Sequence, residues 1–493
     1  MTEAIGIFPY YFWIVLYILV IFFVSGIFIK KSISSFDEFA VASRSLGLTF
    51  TFFTYFSTWI SGATIVGLAG MTFKWGIYQY WVIGVAYIMG ALAAPIFLTR
   101  IRKLNVYTIG DFFSLRFPTH EKIIRILVAL SIVSRNVTIV GAQFSTIAFF
   151  VSLSLRVDFY FALTITAIFI ISYTALSGMW GSAGTNIIQG LFQFIGLPLL
   201  LIYVVKYAGG LNHIFDFYDK IGGGQYLSIF GSTGKLKEVI IFLIAPGLFF
   251  LMEDQATWQR IISAKSEKVA FWGYLAPIGA AMIWILFPCY IGVFSKIIFP
   301  SFTAFPVALS DFILSLPPAA TIIILLTIIS AAVSTCNTYL LTSGLSLTQD
   351  IYKKIFKNDA SERELVLVIS LLIIFVGFLS LGASVLIYDI FDLYIFGAFL
   401  GGSILAVPYL LVWFSKTMNS IGIIAGMIGG GTSFFILVYL FDFSYGNSMA
   451  LSLVANLSLA LFFQNFSMPA EKADIDKTYY FSDRFKDIKN IPR

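Results

Sequence analysis

The chain alternates long apolar stretches with short polar connections along almost its whole length. A helix needs about 20 apolar residues to cross the hydrocarbon core of a bilayer, and it satisfies its own backbone hydrogen bonds there. Thirteen stretches fit, and the pattern predicts an all-α integral membrane protein with a spanning helix in each. They lie near residues 9–29, 49–71, 75–98, 122–153, 158–178, 184–207, 237–257, 269–299, 317–347, 363–383, 386–414, 419–442 and 447–466.

Composition supports this interpretation. Hydrophobic residues make up 59% of the chain and charged residues only 11%, with a mean hydropathy of +0.93. Soluble domains carry about 25% charged residues, so the lipid bilayer is the expected surrounding. The net charge of +6 does not indicate nucleic acid as a partner, because the basic residues follow the loops. The sequence contains no glycine-rich phosphate loop, metal-binding cluster or nucleophile–base motif, so we do not expect an enzyme.

The basic residues indicate the orientation. If the loop after the first span is cytoplasmic, 23 Lys and Arg residues lie inside and seven lie outside, with Arg135 left in mid-span. Positive charge concentrates on the cytoplasmic side of membrane proteins. We therefore predict an outside N-terminus and a cytoplasmic C-terminus in the plasma membrane.

Two spans are interrupted. The stretch FSTWISGATIVGLAG in span 49–71 contains Gly62 and Gly67, and IAPGLFFLMEDQ in span 237–257 contains Pro246. Interrupted helices at matching places in two halves of a chain point to a transport site at the middle of the membrane. Alternatively, Gly and Pro only allow neighbouring helices to pack closely. These two helices are the first of two consecutive five-span blocks, which is the matching placement that favours a transport site.

This interpretation divides the chain into six parts: an extra helix and cytoplasmic loop, a first five-helix repeat, an extracellular loop, a second five-helix repeat, two C-terminal helices and a cytoplasmic tail. Their predicted bounds are 1–48, 49–207, 208–236, 237–414, 415–466 and 467–493.

One apolar span fills with hydroxyl groups in the stretch AAVSTCNTYLLTS. Ala331, Ser334 and Thr335 lie at i, i+3 and i+4, which places them on one helix face. Two hydroxyls, one carbonyl and two carbonyls released near Ser57 and Ile60 would give five uncharged oxygens. Such ligands suit a weakly held monovalent cation such as Na⁺, whereas a divalent ion prefers carboxylates. Alternatively, the hydroxyls only bond the carbonyls of their own helix.

Three segments carry a family resemblance. AAVSTCNTYLLTSGLSLTQDIYKK resembles the eighth core helix of the sodium:solute symporter family, which includes sodium/proline and sialic acid symporters. SYTALSGMWGSAGTNIIQGLFQ resembles the signature around the fifth core helix, and WQRIISAKSEK resembles the loop after the sixth. Their order and spacing fit the family over residues 8 to 466.

The resemblance implies a five-plus-five inverted-repeat fold with alternating access, and a sodium site between the first and eighth core helices. Its ligands would be the carbonyls of Ser57, Ile60 and Ala331 and the hydroxyls of Ser334 and Thr335.

The resemblance also implies a solute site beside the break in the first core helix. Ser61 and Thr64 match substrate-contacting positions of the sialic acid branch, and Gln79 lies near a polar position of the second core helix.

The chain departs from the family pattern at two places. Relatives often carry an aspartate after the threonine of the fifth-helix signature, where this chain has Asn186 after Thr185. Proline-transporting relatives have an aspartate where this chain has Trp59. Both changes remove negative charge near the cation path, so we do not expect a second sodium ion.

Arg135 falls near the middle of span 122–153. A charge there costs at least about 2.5 kcal/mol and needs a partner. No acidic residue is predicted at a similar depth, so a carboxylate of the solute is the expected partner. An arginine in this core helix binds the substrate carboxylate in the sialic acid branch. The alternative is an arginine bonded to backbone carbonyls.

The function that these features predict is secondary active transport: sodium-coupled import of a small polar solute, an amino acid or other carboxylate, by a monomer. The alternative is a sodium-independent uniporter or channel on the same scaffold.

Overall fold

The computed structural model describes residues 2–231, 254–300, 305–386 and 390–465, and the regular elements of these ranges are helices. Sixteen of them, numbered α1 to α16 in chain order, build the bundle and its loops. Their bounds are Thr2–Ser32, Leu48–Trp59, Gly62–Trp75, Trp81–Lys103, Ile109–Arg116, Glu121–Leu155, Phe159–Tyr207, Gln255–Ser263, Glu267–Trp284, Leu286–Ile298, Phe305–Ser315, Pro318–Ser346, Glu362–Leu386, Ile390–Phe414, Ser420–Tyr439 and Tyr445–Gln464. Short helices also cover Phe36–Val41, Leu211–Lys220 and Gly224–Leu227, and a π-helical segment, Leu347–Phe356, continues α12.

The described ranges contain ten helices long and apolar enough to cross a membrane, or eleven with the bent pair α2 and α3. Helix α7 has 49 residues. At about 1.5 Å per residue it is more than twice as long as the hydrocarbon core is thick. Gly178 interrupts it with φ +55°, and a β-carbon there would lie 2.7 Å from the carbonyl oxygen of Phe39. The element is thus two helices, as spans 158–178 and 184–207 predicted.

The predicted all-α membrane fold is confirmed, but the count of thirteen spans is not. Most of predicted span 237–257, with its break at Pro246, lies outside the described residues.

Helix α12 forms the centre of the bundle. It packs against α6 and α7. In its apolar 18-residue stretch 83% of the residues are buried, compared with 22% in that of α1. Helix α6 also packs against α14, and α2 packs against α7 and α9. The hydroxyl-rich part of α12 therefore faces protein rather than lipid, which allows its polar groups to find partners.

Several loops meet at one end of the bundle. The backbone of Leu46 exchanges 2.9 Å hydrogen bonds with Ser263 and Lys265, and Arg102 donates to the carbonyl of Ala264 at 2.9 Å. All belong to loops that the basic-residue pattern places together on the cytoplasmic side. The sequence pattern places these loops on one side of the membrane, and the structure brings them into contact with one another.

A buried ion cluster joins α5, α6 and the segment after α12. One terminal nitrogen of Arg125 lies 2.7 Å from Asp111 Oδ1 and 2.9 Å from Asp350 Oδ1. Thr108 and Ser346 donate to Asp350 at 2.7 and 2.9 Å. Two buried carboxylates this close need the guanidinium between them.

We expect Arg125→Met to lower the apparent melting temperature of the purified protein strongly. The change leaves two carboxylates buried without their cation, and breaking a buried pair costs about 3–5 kcal/mol. The measurement is thermal unfolding in detergent. The double variant Arg125→Met with Asp350→Asn is the matched control, and it should recover part of the loss. Equal melting temperatures for Arg125→Met and the wild type would contradict the role of the cluster.

Candidate functional site

The first predicted break is present. Helix α2 ends at Trp59, α3 begins at Gly62, and their axes differ by 45°. Ile60 between them has non-helical angles, φ −91° and ψ 72°. Ser61 then caps α3, because its hydroxyl accepts a 3.0 Å hydrogen bond from the backbone of Thr64. The break frees the last carbonyls of α2 from helical hydrogen bonding.

Those carbonyls bind side chains of other helices. The carbonyl of Ser57 accepts from Ser334 Oγ at 2.7 Å and from Gln193 Nε2 at 2.9 Å. The carbonyl of Thr58 accepts from Thr335 Oγ1 at 3.0 Å. The end of α2 is therefore joined to α12 and α7 by side-chain donors.

On the α12 side, the hydroxyls of Ser334 and Thr335 also each lie 2.9 Å from the carbonyl oxygen of Ala331. The spacing i, i+3, i+4 therefore produces the shared face that it predicted. The hydroxyls bond their own helix, as the alternative interpretation expected, and they also reach across to α2. All three residues are buried.

The oxygens of this site suit a monovalent cation. Each hydroxyl has one proton but lies within hydrogen-bonding distance of two carbonyls, so acceptors outnumber donors. A cation between them would satisfy the excess acceptors once the hydroxyls turn their lone pairs inward. No carboxylate of the described residues bonds to Ser334 or Thr335. That neutrality favours Na⁺ over a divalent ion.

Ile60 differs from the other four predicted ligands in its hydrogen bonding. In the described part of the chain no hydrogen bond reaches its carbonyl, and the link from Thr335 goes to Thr58, which the sequence did not indicate. Thr58 is thus an additional residue of the site.

The predicted solute-binding residues are only partly brought together. The hydroxyls of Ser61 and Thr64 lie 2.7 Å apart at the break, and Tyr394 of α14 bonds to Thr64. Gln79 is buried in a 3₁₀ turn before α4, and its side-chain oxygen has no hydrogen-bond partner within the described ranges. Within the same ranges no hydrogen bond joins Gln79 to Ser61, Thr64 or Arg135.

The expected isolation of Arg135 is wrong. Its side chain is buried in α6, but Nη2 lies 3.8 Å from Oδ1 of Asp254, which is equally buried. Asp254 also caps α8 by accepting from the backbone of Thr257 at 3.2 Å. Asp254 falls near the end of predicted span 237–257, and the depth of that end depends on how the helices pack.

Gln143 is a site residue that the sequence analysis missed. It is fully buried in α6, and its Oε1 accepts a 3.0 Å hydrogen bond from the backbone of Ala63 in the first turn of α3. A β-carbon on Gly62 would lie 2.8 Å from the β-carbon of Ala332, so the glycine permits α3 to approach α12 closely. The Nε2 group of Gln143 is buried without a partner among the described residues. The sequence could have indicated Gln143, because a polar amide in the middle of a spanning helix is itself a sign of function.

Asn186 occupies the place where relatives often carry an aspartate. Its Oδ1 accepts from Asn337 Nδ2 at 3.3 Å, and the same Nδ2 donates to Tyr173 at 2.8 Å. Ser182 donates to Asn337 Oδ1 at 2.8 Å. These bonds join neutral groups, so Asn186 takes part in a hydrogen-bond network that links α7 to α12.

A broken helix beside an oxygen-rich face, inside a bundle of spanning helices, defines the class of secondary transporters. The chain belongs to the sodium:solute symporter family, whose family description matches residues 39–430. Its activity is therefore sodium-coupled symport, and it is a transporter rather than an enzyme.

Relatives support this assignment over most of the chain. The high-affinity proline transporter PutP of Bacillus subtilis (strain 168) is 27% identical over 435 residues, which cover 83% of this chain and 88% of that protein. The sodium/pantothenate symporter of Escherichia coli (strain K12) is 28% identical over 455 residues, covering 87% and 90%. The solved outward-open, substrate-bound structure of a Na⁺-coupled sialic acid symporter has a TM-score of 0.81 at 20% identity, over 94% of this chain and 98% of that one. The last likeness confirms the fold.

We expect Ser334→Ala and Thr335→Ala each to raise the half-saturating sodium concentration by roughly tenfold or more. Losing a hydroxyl that satisfies buried groups costs about 1–3 kcal/mol, and 1.4 kcal/mol is about tenfold in affinity. The measurement is sodium-dependent thermal stabilisation of the purified protein.

Ser330→Ala is the matched control. Ser330 lies one turn earlier on α12 and contacts the hydroxyl of Tyr17 at 3.2 Å rather than the break. Its sodium response should equal that of the wild type. Similar sodium responses in all three variants would argue against this site.

Proposed function

We propose that the protein imports a small carboxylate-bearing solute, an amino acid or a related acid, together with Na⁺ across the plasma membrane. The observation that carries the ion part is the convergence of Ser57, Ala331, Ser334 and Thr335 at the break. Neutral ligands hold a cation weakly enough to release it in each transport cycle.

The proposed sodium ligands are the carbonyls of Ser57, Ile60 and Ala331 and the hydroxyls of Ser334 and Thr335. In the ion-bound protein the hydroxyl protons turn away from the centre, and Na⁺ replaces the hydrogen bonds that now join α2 to α12. Ion binding would then adjust the contact between these two helices, which is how a bound ion biases an alternating-access equilibrium.

The proposed solute class rests on two supports. Three relatives are named for proline, pantothenate and sialic acid, and each of these compounds carries a carboxylate. In this chain the N-terminus of α3, the positive end of its dipole, lies at the break and favours negative charge there. Ser61, Thr64, Gln79, Gln143 and Arg135 are the proposed solute contacts.

Arg135 would bind the solute by exchange. Its separation of 3.8 Å from Asp254 is longer than a close charge-assisted hydrogen bond. A solute carboxylate at bidentate distance would compete with Asp254 for the guanidinium.

The topology and assembly are part of the same proposal. The N-terminus lies outside, the C-terminus is cytoplasmic, and the protein works as a monomer. The two five-helix repeats, 49–207 and 237–414, move relative to each other to expose the site alternately.

Uptake into proteoliposomes tests the coupling. An imposed inward sodium gradient should drive accumulation of a labelled carboxylate solute above equilibrium, because the ion's downhill movement supplies the free energy. Liposomes without protein and gradients of choline are the controls. Equal uptake with choline in place of sodium would indicate a uniporter or channel instead.

The exchange at Arg135 predicts opposite effects for two variants. Arg135→Ala should abolish carboxylate-solute binding while sodium still stabilises the protein. Asp254→Asn should tighten solute binding by several-fold, because the competitor is neutralised while Asn remains a good helix cap. The measurements are solute affinity and sodium-dependent melting temperature. A purely structural pair would lower stability in both variants and leave solute affinity unchanged.

A further inference from the structure

Arg260 is a buried cation next to the proposed sodium site. It lies on α8 and is only 3% exposed. Its Nη2 donates to the hydroxyl of Thr58 at 2.8 Å and to that of Thr338 at 2.7 Å. Its Nη1 donates to the carbonyl of Ala256 at 2.9 Å. The guanidinium thus joins α8 to the end of α2 and to the middle of α12.

The hydrogen-bond partners of Arg260 are neutral. No ion pair links it to a carboxylate within the described ranges, and the ring of Tyr55 lies 5.3 Å from its guanidinium carbon. The carboxylate of Asp254 attracts it from a longer distance, and that carboxylate also lies 3.8 Å from Arg135. Hydroxyl, carbonyl and ring contacts stabilise a buried cation, but they leave its net charge uncancelled. Among the described residues one carboxylate thus serves two arginines, and the positive charge that remains acts on its surroundings through protein rather than water.

Thr58 connects this cation to the sodium ligands. Its hydroxyl accepts from Arg260, while its carbonyl accepts from Thr335. Thr338 lies four residues after Ser334 and three after Thr335, so it is about one helical turn, roughly 5.4 Å, from them along α12. Arg260 thus contacts residues that adjoin the proposed ligands, and two positive charges separated by so few side chains repel each other at the effective dielectric of a protein.

We propose that Arg260 sets the affinity of the sodium site by repelling the bound ion. The inference rests on the proposed sodium site and goes beyond it, since it assigns the neighbouring fixed charge a role in ion release. A site of five neutral oxygens beside a fixed cation binds sodium more weakly than the same oxygens alone. The repulsion favours release of the ion in each cycle.

Neutralising Arg260 tests the proposal directly. Arg260→Gln should lower the half-saturating sodium concentration by on the order of tenfold, measured as sodium-dependent thermal stabilisation with choline as the ionic-strength control. Arg260→Lys keeps the charge but loses the planar fork, and it should stay within about twofold of the wild type. A residue that only ties the helices together would give equal changes in both variants, which would overturn the proposal.

A second pair of variants leaves Arg260 in place. Thr338→Asp puts a carboxylate against the guanidinium and should also tighten sodium binding, whereas the similarly sized Thr338→Asn should not. This pair decides the matter if Arg260→Gln does not fold. Equal sodium affinity in the Asp and Asn variants overturns the proposal.

The wild type separates the two levels of inference. If sodium does not stabilise it more than choline does, both the sodium site and the role of Arg260 are wrong. If sodium stabilises the wild type but the neutralised variants bind sodium no more tightly, only the role of Arg260 is wrong.

Discussion

The structure depends on the satisfaction of the backbone carbonyls that the break in the first core helix releases. Inside a membrane protein an unpaired carbonyl costs several kcal/mol, because no water is present to replace the missing helical bond. Ser334 and Thr335 of α12 supply the missing donors to Ser57 and Thr58. The kinked helix and the central helix are thus fixed against each other by the groups that are the proposed ion ligands.

This arrangement explains how one set of groups can serve structure and transport. A hydroxyl is both a donor and an acceptor, so Ser334 and Thr335 can hold the carbonyls of α2 without an ion and can coordinate one when it arrives. A carboxylate in their place would bind a cation more tightly and would be a buried charge when the site is empty. Neutral oxygens avoid both the tight binding, which would slow release of the ion, and the buried charge in the empty site.

The local features of the site could be predicted from sequence, and the long-range ones could not. The spacing of Ala331, Ser334 and Thr335 fixes a shared face because helix geometry is local, and the glycine at 62 marked the break. The pairing of Arg135 with Asp254 and the contact of Gln143 with α3 depend on which helices are neighbours and at what depth. That information is not contained in periodicity.

Three buried arginines show how differently the chain compensates charge. Arg125 lies between two carboxylates, Arg135 faces Asp254 at 3.8 Å, and Arg260 is held by neutral oxygens. A cation held between two carboxylates is a structural link. A cation that is hydrogen-bonded only to neutral oxygens still exerts a positive electrostatic potential on its surroundings. Of these three, Arg260 bonds to the broken helix itself, through the hydroxyl of Thr58, and so lies beside the proposed path of the ion.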